Sequence, residues 1–209
     1  MSSNSEFIRY LYELTHDERS DGKGAASARA ALAGLRRGRG KVPGTVVEMY
    51  SLVVPELRQA KPWEQQAWVD ETYFLIAALF AGHRFSREHD IERPPPNLGA
   101  SLRKFVEDEE EKHHPVGEST GKRFAALLEC DRNELPVHLR HAVNLLNDTP
   151  IDWATLLDDI LRWDAEKRTQ LRWAKAYWYR PPAKPKDDES ETERPGDDAA
   201  LALLEQEGD

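Results

Sequence analysis

Residues 73–81 read YFLIAALFA and make up the longest apolar run of this 209-residue chain. The run is too short to cross a bilayer, which requires about 20 residues. Apolar residues upstream recur at helical spacing and predict a longer helix that begins near Pro62, since proline is well tolerated in a first turn. Because the second half of this helix is apolar on nearly every side, we expect it to be the central helix of the N-terminal half.

The rest of the chain also shows helical periodicity and predicts an all-α fold. Residues 46–54 contain β-branched side chains, but no second strand is available for pairing, so this segment is predicted as a short helix. Pro136 and Asp152 indicate the starts of two later helices, and Asp164 is predicted to cap the last one.

Three consecutive prolines, Pro94 to Pro96, cannot continue a helix, because each removes a backbone donor and restricts the residue before it. The sequence therefore predicts two small helical bundles, at residues 1–93 and 98–180. Residues 181–209 are rich in proline and carry ten acids against three bases. Such a composition cannot offset the entropy cost of ordering, which predicts a disordered acidic tail.

Charge and cysteine content narrow the cellular context. The net charge of −9 belongs mainly to the acidic tail, so it does not argue against anion binding elsewhere in the chain. The single cysteine, Cys130, excludes an internal disulfide framework and is typical of a reducing compartment. The N-terminal residues MSSNSEF lack the basic and apolar regions of an export signal, so we expect a cytoplasmic protein without membrane contact.

A concentrated basic stretch, AASARAALAGLRRGRGK, occupies residues 25–41. A positive patch on an otherwise acidic protein indicates a phosphate-facing surface. Gly38 and Gly40 would let the backbone turn and approach a partner closely. The alternative is that these cations complement the dipole at a helix C-terminus. The candidate phosphate-binding residues of this stretch are Arg29, Arg36, Arg37, Arg39 and Lys41.

The second half offers further cations that are scattered in sequence. If they converge with the first patch, they form a groove that follows a nucleic-acid backbone without reading bases. The alternative is that each lies on the solvated face of an amphipathic helix. These candidates are Lys122, Arg123, Arg132, Arg140, His141, Lys167 and Arg168.

Catalytic motifs are missing from the sequence, since neither a phosphate-binding GxxxxGK[ST] nor a GxSxG nucleophile turn occurs. The acids Glu107–Glu111 would cover all sides of a helix rather than converge on a metal. Cys130 near His138 and His141 suggests a thiol–imidazole or metal cluster, but a lone cysteine is more often a core residue. We therefore predict no enzyme activity, no cofactor and no metal.

Two segments resemble the CasB family, the small subunit of the type I-E CRISPR surveillance complex Cascade. Residues 28–38, ARAALAGLRRG, are similar to the first alanine-rich helix of that family. Residues 151–163, IDWATLLDDILRW, and 172–178, RWAKAYW, are similar to its closing motif. The likeness spans roughly residues 5–180 and includes Phe80-Ala81-Gly82-His83.

The resemblance implies an all-helical, non-catalytic subunit with two bundles. It implies as partners the guide RNA, single-stranded DNA, the guide-coating subunits, the large subunit and a second copy of itself. Its basic surface would stabilise the R-loop, including the displaced non-target strand. Arg36 and Arg37 match the basic pair of the family, and Arg132 and Arg140 match basic positions of the second bundle. His141 departs from the expected arginine, which would weaken that contact.

Two other functions compete with this hypothesis. The first is a helical protein-interaction module, whose arginines serve only to complete helix ends. The second is a helical hydrolase built on the acids Glu107–Glu111, which would require a divalent metal.

Overall fold

In the computed structural model, residues 3–57, 65–89, 93–163 and 167–179 are described. The helices within these ranges are α1 (Ser3–Arg19), α2 (Ala25–Arg36), α3 (Tyr50–Val53), α4 (Gln66–Gly82), α5 (Arg84–Glu88), α6 (Leu98–Glu111), α7 (Gly117–Glu129), α8 (Leu135–Leu145), α9 (Trp153–Leu161) and α10 (Arg168–Trp178). Two 3-10 turns, Val47–Met49 and Val54–Glu56, flank α3. No strand occurs in these ranges, which confirms the all-α prediction; the predicted disordered tail, residues 181–209, lies outside them.

Helix α4 is the central helix, as its apolar run predicts. Every residue from Thr72 to Ala81 is buried, and the helix packs against α1, α2, α8 and α9. Aromatic contacts connect it to its neighbours: the rings of Phe7 and Tyr73 lie 4.7 Å apart, and those of Phe80 and Trp153 lie 5.4 Å apart. Burial of a helix on all sides explains why its sequence lacks a polar face.

The residues Pro94–Pro96 form a proline loop, and the helices before and after it share one apolar core. The hydroxyl of Tyr73 donates to the side-chain oxygen of Asn4 at 2.7 Å, and the Asn4 amide in turn donates to Asp158 of α9. Asn4 is 5% exposed, so this network ties α1, α4 and α9 together inside the protein. The prolines lie between α5 and α6, and the division into bundles at 1–93 and 98–180 stays a prediction.

Two predicted helix starts, at Pro136 and Asp152, agree with the structure. Asp152 caps α9, because its carboxylate accepts the backbone N–H of Thr155 at 2.8 Å. Pro136 lies in the first turn of α8, and the predicted helical segment 46–54 is helical from Val47 onward. The predicted start near Pro62 and the predicted cap Asp164 fall outside the described residues.

Helix α5 is not foreseen by the sequence signals and depends on His83. The ring of His83 is 1% exposed, and its Nδ1 accepts the backbone N–H of Ser86 at 3.3 Å, which caps the helix. Its Nε2 lies 2.7 Å from the carbonyl oxygen of Leu146, which can only accept, so Nε2 carries the proton of a neutral ring. The indole N–H of Trp153 donates to Ser86 Oγ at 2.8 Å and extends this hydrogen-bond network to α9.

Helix α10 is held against the rest of the protein by a buried carboxylate. Asp159 of α9 is 2% exposed and accepts hydrogen bonds from Arg172 and, at 2.6 Å, from the indole of Trp173. At Gly99 of α6 the backbone of α10 approaches so closely that an added Cβ would overlap the carbonyl oxygen of Trp173.

None of the described helices is long and apolar enough to cross a membrane.

Candidate nucleic-acid interface

The basic stretch forms the end of α2 and the turn that follows it. Arg36 lies in the last turn, half-buried, and donates from Nε to the carbonyl oxygen of Leu32 at 3.2 Å. Arg37 is exposed and lies 3.5 Å from Glu48, the first acid after the basic stretch. An exposed pair of this kind contributes little, about 0–1 kcal/mol, so a phosphate can replace Glu48 at low cost.

Arg39 has a structural contact as well as a charge. Its Nη1 donates to the carbonyl oxygen of Gly82 at 3.2 Å, which completes the C-terminus of α4. Its Nη2 donates to the side-chain oxygen of Asn144 on α8. The guanidinium lies across Gly82 so closely that a Cβ at that position would overlap it. Arg39 therefore connects the turn after α2 with α4 and α8.

The two glycines of the basic stretch serve the packing of the chain itself. A Cβ on Gly38 would lie 2.5 Å from the sulfur of Met49 and 2.9 Å from the Cβ of Ala78. The close approach expected at Gly38 is thus made to α4 within this chain. Gly40 has a φ of +82°, a left-handed conformation that favours glycine, and it turns the backbone toward Lys41.

A cleft of about 490 Å³ opens between α6, α7 and α8, next to the contact of Arg39. Its inner wall is apolar and includes Leu102, Phe124, Ala142 and Leu145. Its polar lining residues are Thr120, Arg123, His138, His141 and Asn144, and none of the residues lining it is acidic.

The hydrogen bond from Arg39 to Asn144 joins the basic stretch to this cleft. Asn144 lines the cleft with Arg123 and His141, and it lies four residues after Arg140 on the same face of α8. The structure thus brings together cations from both sides of the proline loop. We call this set of residues the basic band: Arg36, Arg37, Arg39, Arg123, Arg140 and His141.

The other candidate cations lie outside the basic band. Arg132 is stacked 4.7 Å over the ring of Trp68, which lies about 21 Å along α4 from Gly82 at the helical rise of 1.5 Å per residue. Lys122 is exposed and pairs with Glu118 of its own helix at 2.6 Å. The remaining candidates are all exposed: Arg29, Lys41, Lys167 and Arg168. The last two lie at the start of α10.

Three of the acids of α6 contact neighbouring cations on the same helix or directly after it. Glu107 accepts from Arg103 at 2.7 Å, and Asp108 pairs with Lys104 at 2.9 Å. Glu109 contacts Lys112 at 2.8 Å and His114 at 3.0 Å, and these two partners hold the pKa of Glu109 below its usual range. Among the described residues, no group of three histidine, cysteine or acidic side chains is placed to hold a metal.

Cys130 is separated from the histidines of the cleft. Its thiol is buried and donates to the carbonyl oxygen of Leu127 at 3.1 Å, whereas His138 and His141 line the cleft. Burial and the carboxylates of Glu134 and Asp131 raise the pKa of the Cys130 thiol to about 11. At neutral pH this group is therefore a protonated thiol, which is a poor nucleophile and a poor metal ligand.

Comparison with known proteins confirms the family suggested by the two motifs. The family model described as CRISPR-associated protein Cse2 matches residues 31–178. The chain belongs to the Cse2 family. A Cse2 protein of Thermus thermophilus is 32% identical over 179 residues, which cover 85% of this chain and 91% of the relative.

Solved structures share the Cse2 fold. The crystal structure of CasB from Thermus thermophilus is similar with a TM-score of 0.62 and 32% identity, over 85% of this chain and 99% of that one. A chain of a CRISPR RNA-guided surveillance complex is similar with a TM-score of 0.63 at 24% identity, over 84% of this chain and 91% of that one.

Sequence reasoning missed Asn144 and Gly82, the two partners of Arg39 in this Cse2-family chain. Neither residue type carries charge, and their separations from Arg39 are 105 and 43 residues. The one available signal is the spacing of Arg140, His141 and Asn144, which places all three on adjoining sides of one helix.

Proposed function

We propose that this Cse2-family chain is a non-catalytic subunit of a CRISPR RNA-guided surveillance complex and that its basic band binds the nucleic-acid backbone. The family match and the similar chain in such a complex support the first part. In these complexes base pairing with the guide reads the sequence, so backbone contacts are sufficient for the protein. The nucleic acid bound is the guide–target duplex or the displaced single strand of the R-loop. The complex would act in the cytoplasm.

The observation that carries the proposal is the contact of Arg39 with Asn144. It brings the basic stretch beside α8 and so supports a single binding surface for two sets of cations that lie about 85 to 105 residues apart in sequence. The band also carries few internal ion pairs: the Arg37–Glu48 contact at 3.5 Å is exposed at both partners, with side chains 63% and 55% accessible. The exposed guanidinium groups of Arg37, Arg39 and Arg123 are suited to phosphate oxygens.

Binding to single-stranded DNA across a salt series tests the proposal. The Arg36→Glu/Arg37→Glu variant should lose affinity and show a flatter slope, since each phosphate contact contributes about 0.7 to the slope of log affinity against log salt. The control is Arg9→Glu/Arg162→Glu, which makes the same change of charge at two exposed arginines of α1 and α9. Arg39 is left intact because it also holds the end of α4.

The same variants should be assembled into the whole complex with its guide. The Arg36→Glu/Arg37→Glu complex should release its R-loop sooner than the wild-type and control complexes do. The proposal would be overturned if the R-loop lifetime and the slope of log affinity against log salt were both the same in the variant and the wild type. These arginines would then serve only to complete the end of α2.

A second candidate function is a helical protein-interaction module, and one observation favours it. Val47, Tyr50 and Val54 follow one another at helical spacing around α3 and are 69%, 42% and 50% exposed. In the proposed complex the same apolar face would contact a neighbouring subunit or a second copy of the chain. Substituting Tyr50 and Val54 by Ser should weaken assembly into the complex while DNA binding by the free chain is retained. If the protein is only an interaction module, the substitutions should weaken assembly, and the free chain should not bind DNA at all.

A further inference from the structure

We propose that the cleft between α6, α7 and α8 accepts one unstacked nucleotide of the bound strand, with the base against the apolar wall and the phosphate on the cationic rim. This inference rests on the proposed function and assigns a second mode of contact to it. It predicts that the chain binds bases as well as backbone, without requiring that it distinguish their identity.

Size and lining are the first reason for this assignment. A volume of about 490 Å³ falls in the range of small-molecule sites, roughly 300–1,000 Å³. Such sites combine a mostly apolar wall with a few polar groups that fix orientation. Here Leu102, Ala142 and Leu145 form the wall, while Thr120 and Asn144 supply a hydroxyl and an amide that can reach base edges.

Charge is the second reason. Arg123 and His141 are both exposed at the cleft, and none of the residues lining it is acidic. A neutral ligand would not require this rim, whereas a phosphate next to the base would be bound by the guanidinium of Arg123. The imidazole rings of His138 and His141, three residues apart on α8, are also flat surfaces on which a base can stack.

Continuity with the basic band is the third reason. Asn144 lines the cleft and accepts a hydrogen bond from Arg39, so a strand that follows the band reaches the mouth of the cleft. A backbone held there could place one base into the cleft. Base stacking on protein rings is sequence-tolerant, because every base has a flat face.

Filling the cleft without changing its charges tests this proposal. Ala126 lines the cleft and is exposed, so Ala126→Phe should occupy the space and leave the fold intact. The control is Ala67→Phe, which adds the same ring at an exposed alanine near the start of α4, remote from Gly82. The probes are two 15-residue DNA strands of equal charge, one of thymidines and one without bases.

The wild-type full-length chain should prefer the thymidine strand by about 5- to 100-fold, the range expected from stacking of one base. Ala126→Phe should remove this preference and leave the affinity for the abasic strand unchanged, whereas Ala67→Phe should leave both unchanged. As a measurement that needs no variant, 5-bromouracil in the strand should crosslink to the α8 segment His138–Leu145.

The failures of the two proposals are distinguishable. Equal affinity for both strands with a steep salt dependence would overturn the proposal that the cleft binds a nucleotide. It would leave the proposal of backbone binding in place. Loss of affinity for the abasic strand in Ala126→Phe would identify a phosphate site and likewise overturn the base assignment. Absence of binding to both strands would overturn both proposals, and capture of an acidic peptide in the cleft would assign it to a protein partner.

Discussion

The indole N–H of Trp173 donates a 2.6 Å hydrogen bond to the carboxylate of Asp159, which is only 2% exposed. A buried carboxylate must keep its donors, because an ionised group without partners is costly in the protein interior. Trp173 thus stabilises the packing of α10 both through its ring and through this donor.

Replacing Trp173 by Phe should therefore lower the free energy of unfolding by about 2–4 kcal/mol, since it removes both the donor to a charged group and buried volume. The matched control is Trp178→Phe, the same chemical change at a residue that is 50% exposed, where we expect less than about 1 kcal/mol. Urea unfolding of both variants measures the difference. Equal losses would show that the Asp159 hydrogen bond contributes nothing.

Two helical glycines should respond in opposite directions to the same substitution. Gly99→Ala would push a Cβ into the backbone carbonyl of Trp173 and should destabilise the protein by about 3 kcal/mol, because backbone cannot move aside like a flexible side chain. A Cβ at Gly34 would lie 3.5 Å from the side chain of Leu52 and 3.8 Å from the carbonyl oxygen of Glu48, both ordinary van der Waals contacts. Gly34→Ala should therefore be neutral or stabilising by up to about 1 kcal/mol through helix propensity. Thermal unfolding of both variants tests this pair; a stable Gly99→Ala protein would contradict the close approach of α6 and α10.

Stability should fall as the pH drops below about 6.5, in part because of His83. Burial lowers the pKa of His83, so the folded protein holds the ring neutral while the unfolded chain takes up a proton near its ordinary pKa of about 6.5. The contribution is present above that pH and is lost as the pH falls toward the lowered pKa of the folded state. The free energy of unfolding should therefore fall between pH 7 and pH 5.5.

Urea unfolding at several pH values measures this loss, and His83→Gln is the control. Glutamine can still donate to Leu146 and accept from Ser86, but it does not titrate, so the free energy of unfolding of the variant should fall less between pH 7 and pH 5.5. Identical pH profiles for both proteins would refute the assignment to His83.

The thiol of Cys130 should react slowly in the folded protein. With its pKa raised to about 11, the fraction of thiolate at pH 8 is at least about 100-fold lower than for an ordinary cysteine of pKa about 8.5. Labelling with a soluble thiol reagent should therefore be slower by at least that factor in buffer than in concentrated urea. Fast labelling of the native chain would show that the thiol is more accessible than the structure indicates.

Local sequence signals predicted most helices, because the information lies within one or two turns. The buried run at residues 73–81 predicted α4, and Asp152 predicted the start of α9 through its own side chain. Residues 46–54 were predicted helical despite their β-branched side chains, because a strand had nothing to pair with. That prediction is confirmed by α3 and its flanking 3-10 turns.

Features that depend on distant partners were not predictable in the same way. Helix α5 starts at a histidine whose ring is fixed by Leu146, 63 residues away, and no local pattern reveals this contact. Arg37 was predicted as part of a positive patch, yet the carboxylate of Glu48 lies 3.5 Å from its guanidinium. The basic stretch is visible in the sequence and its role stays a prediction, whereas its contact with α8 through Asn144 required the tertiary structure.

The buried position of Asn4 bears on how the protein forms during translation. Helix α1 leaves the ribosome before α9, and the partner of Asn4 on α9, Asp158, is made 154 residues later. At about 5–20 residues per second, that interval is roughly 8–30 s. During that interval the newly made α1 can pack against α2 and α4, but the buried amide of Asn4 lacks its partner on α9. The N-terminal helices therefore remain incompletely packed until α9 has been synthesised, which is the period when a chaperone would be of most use.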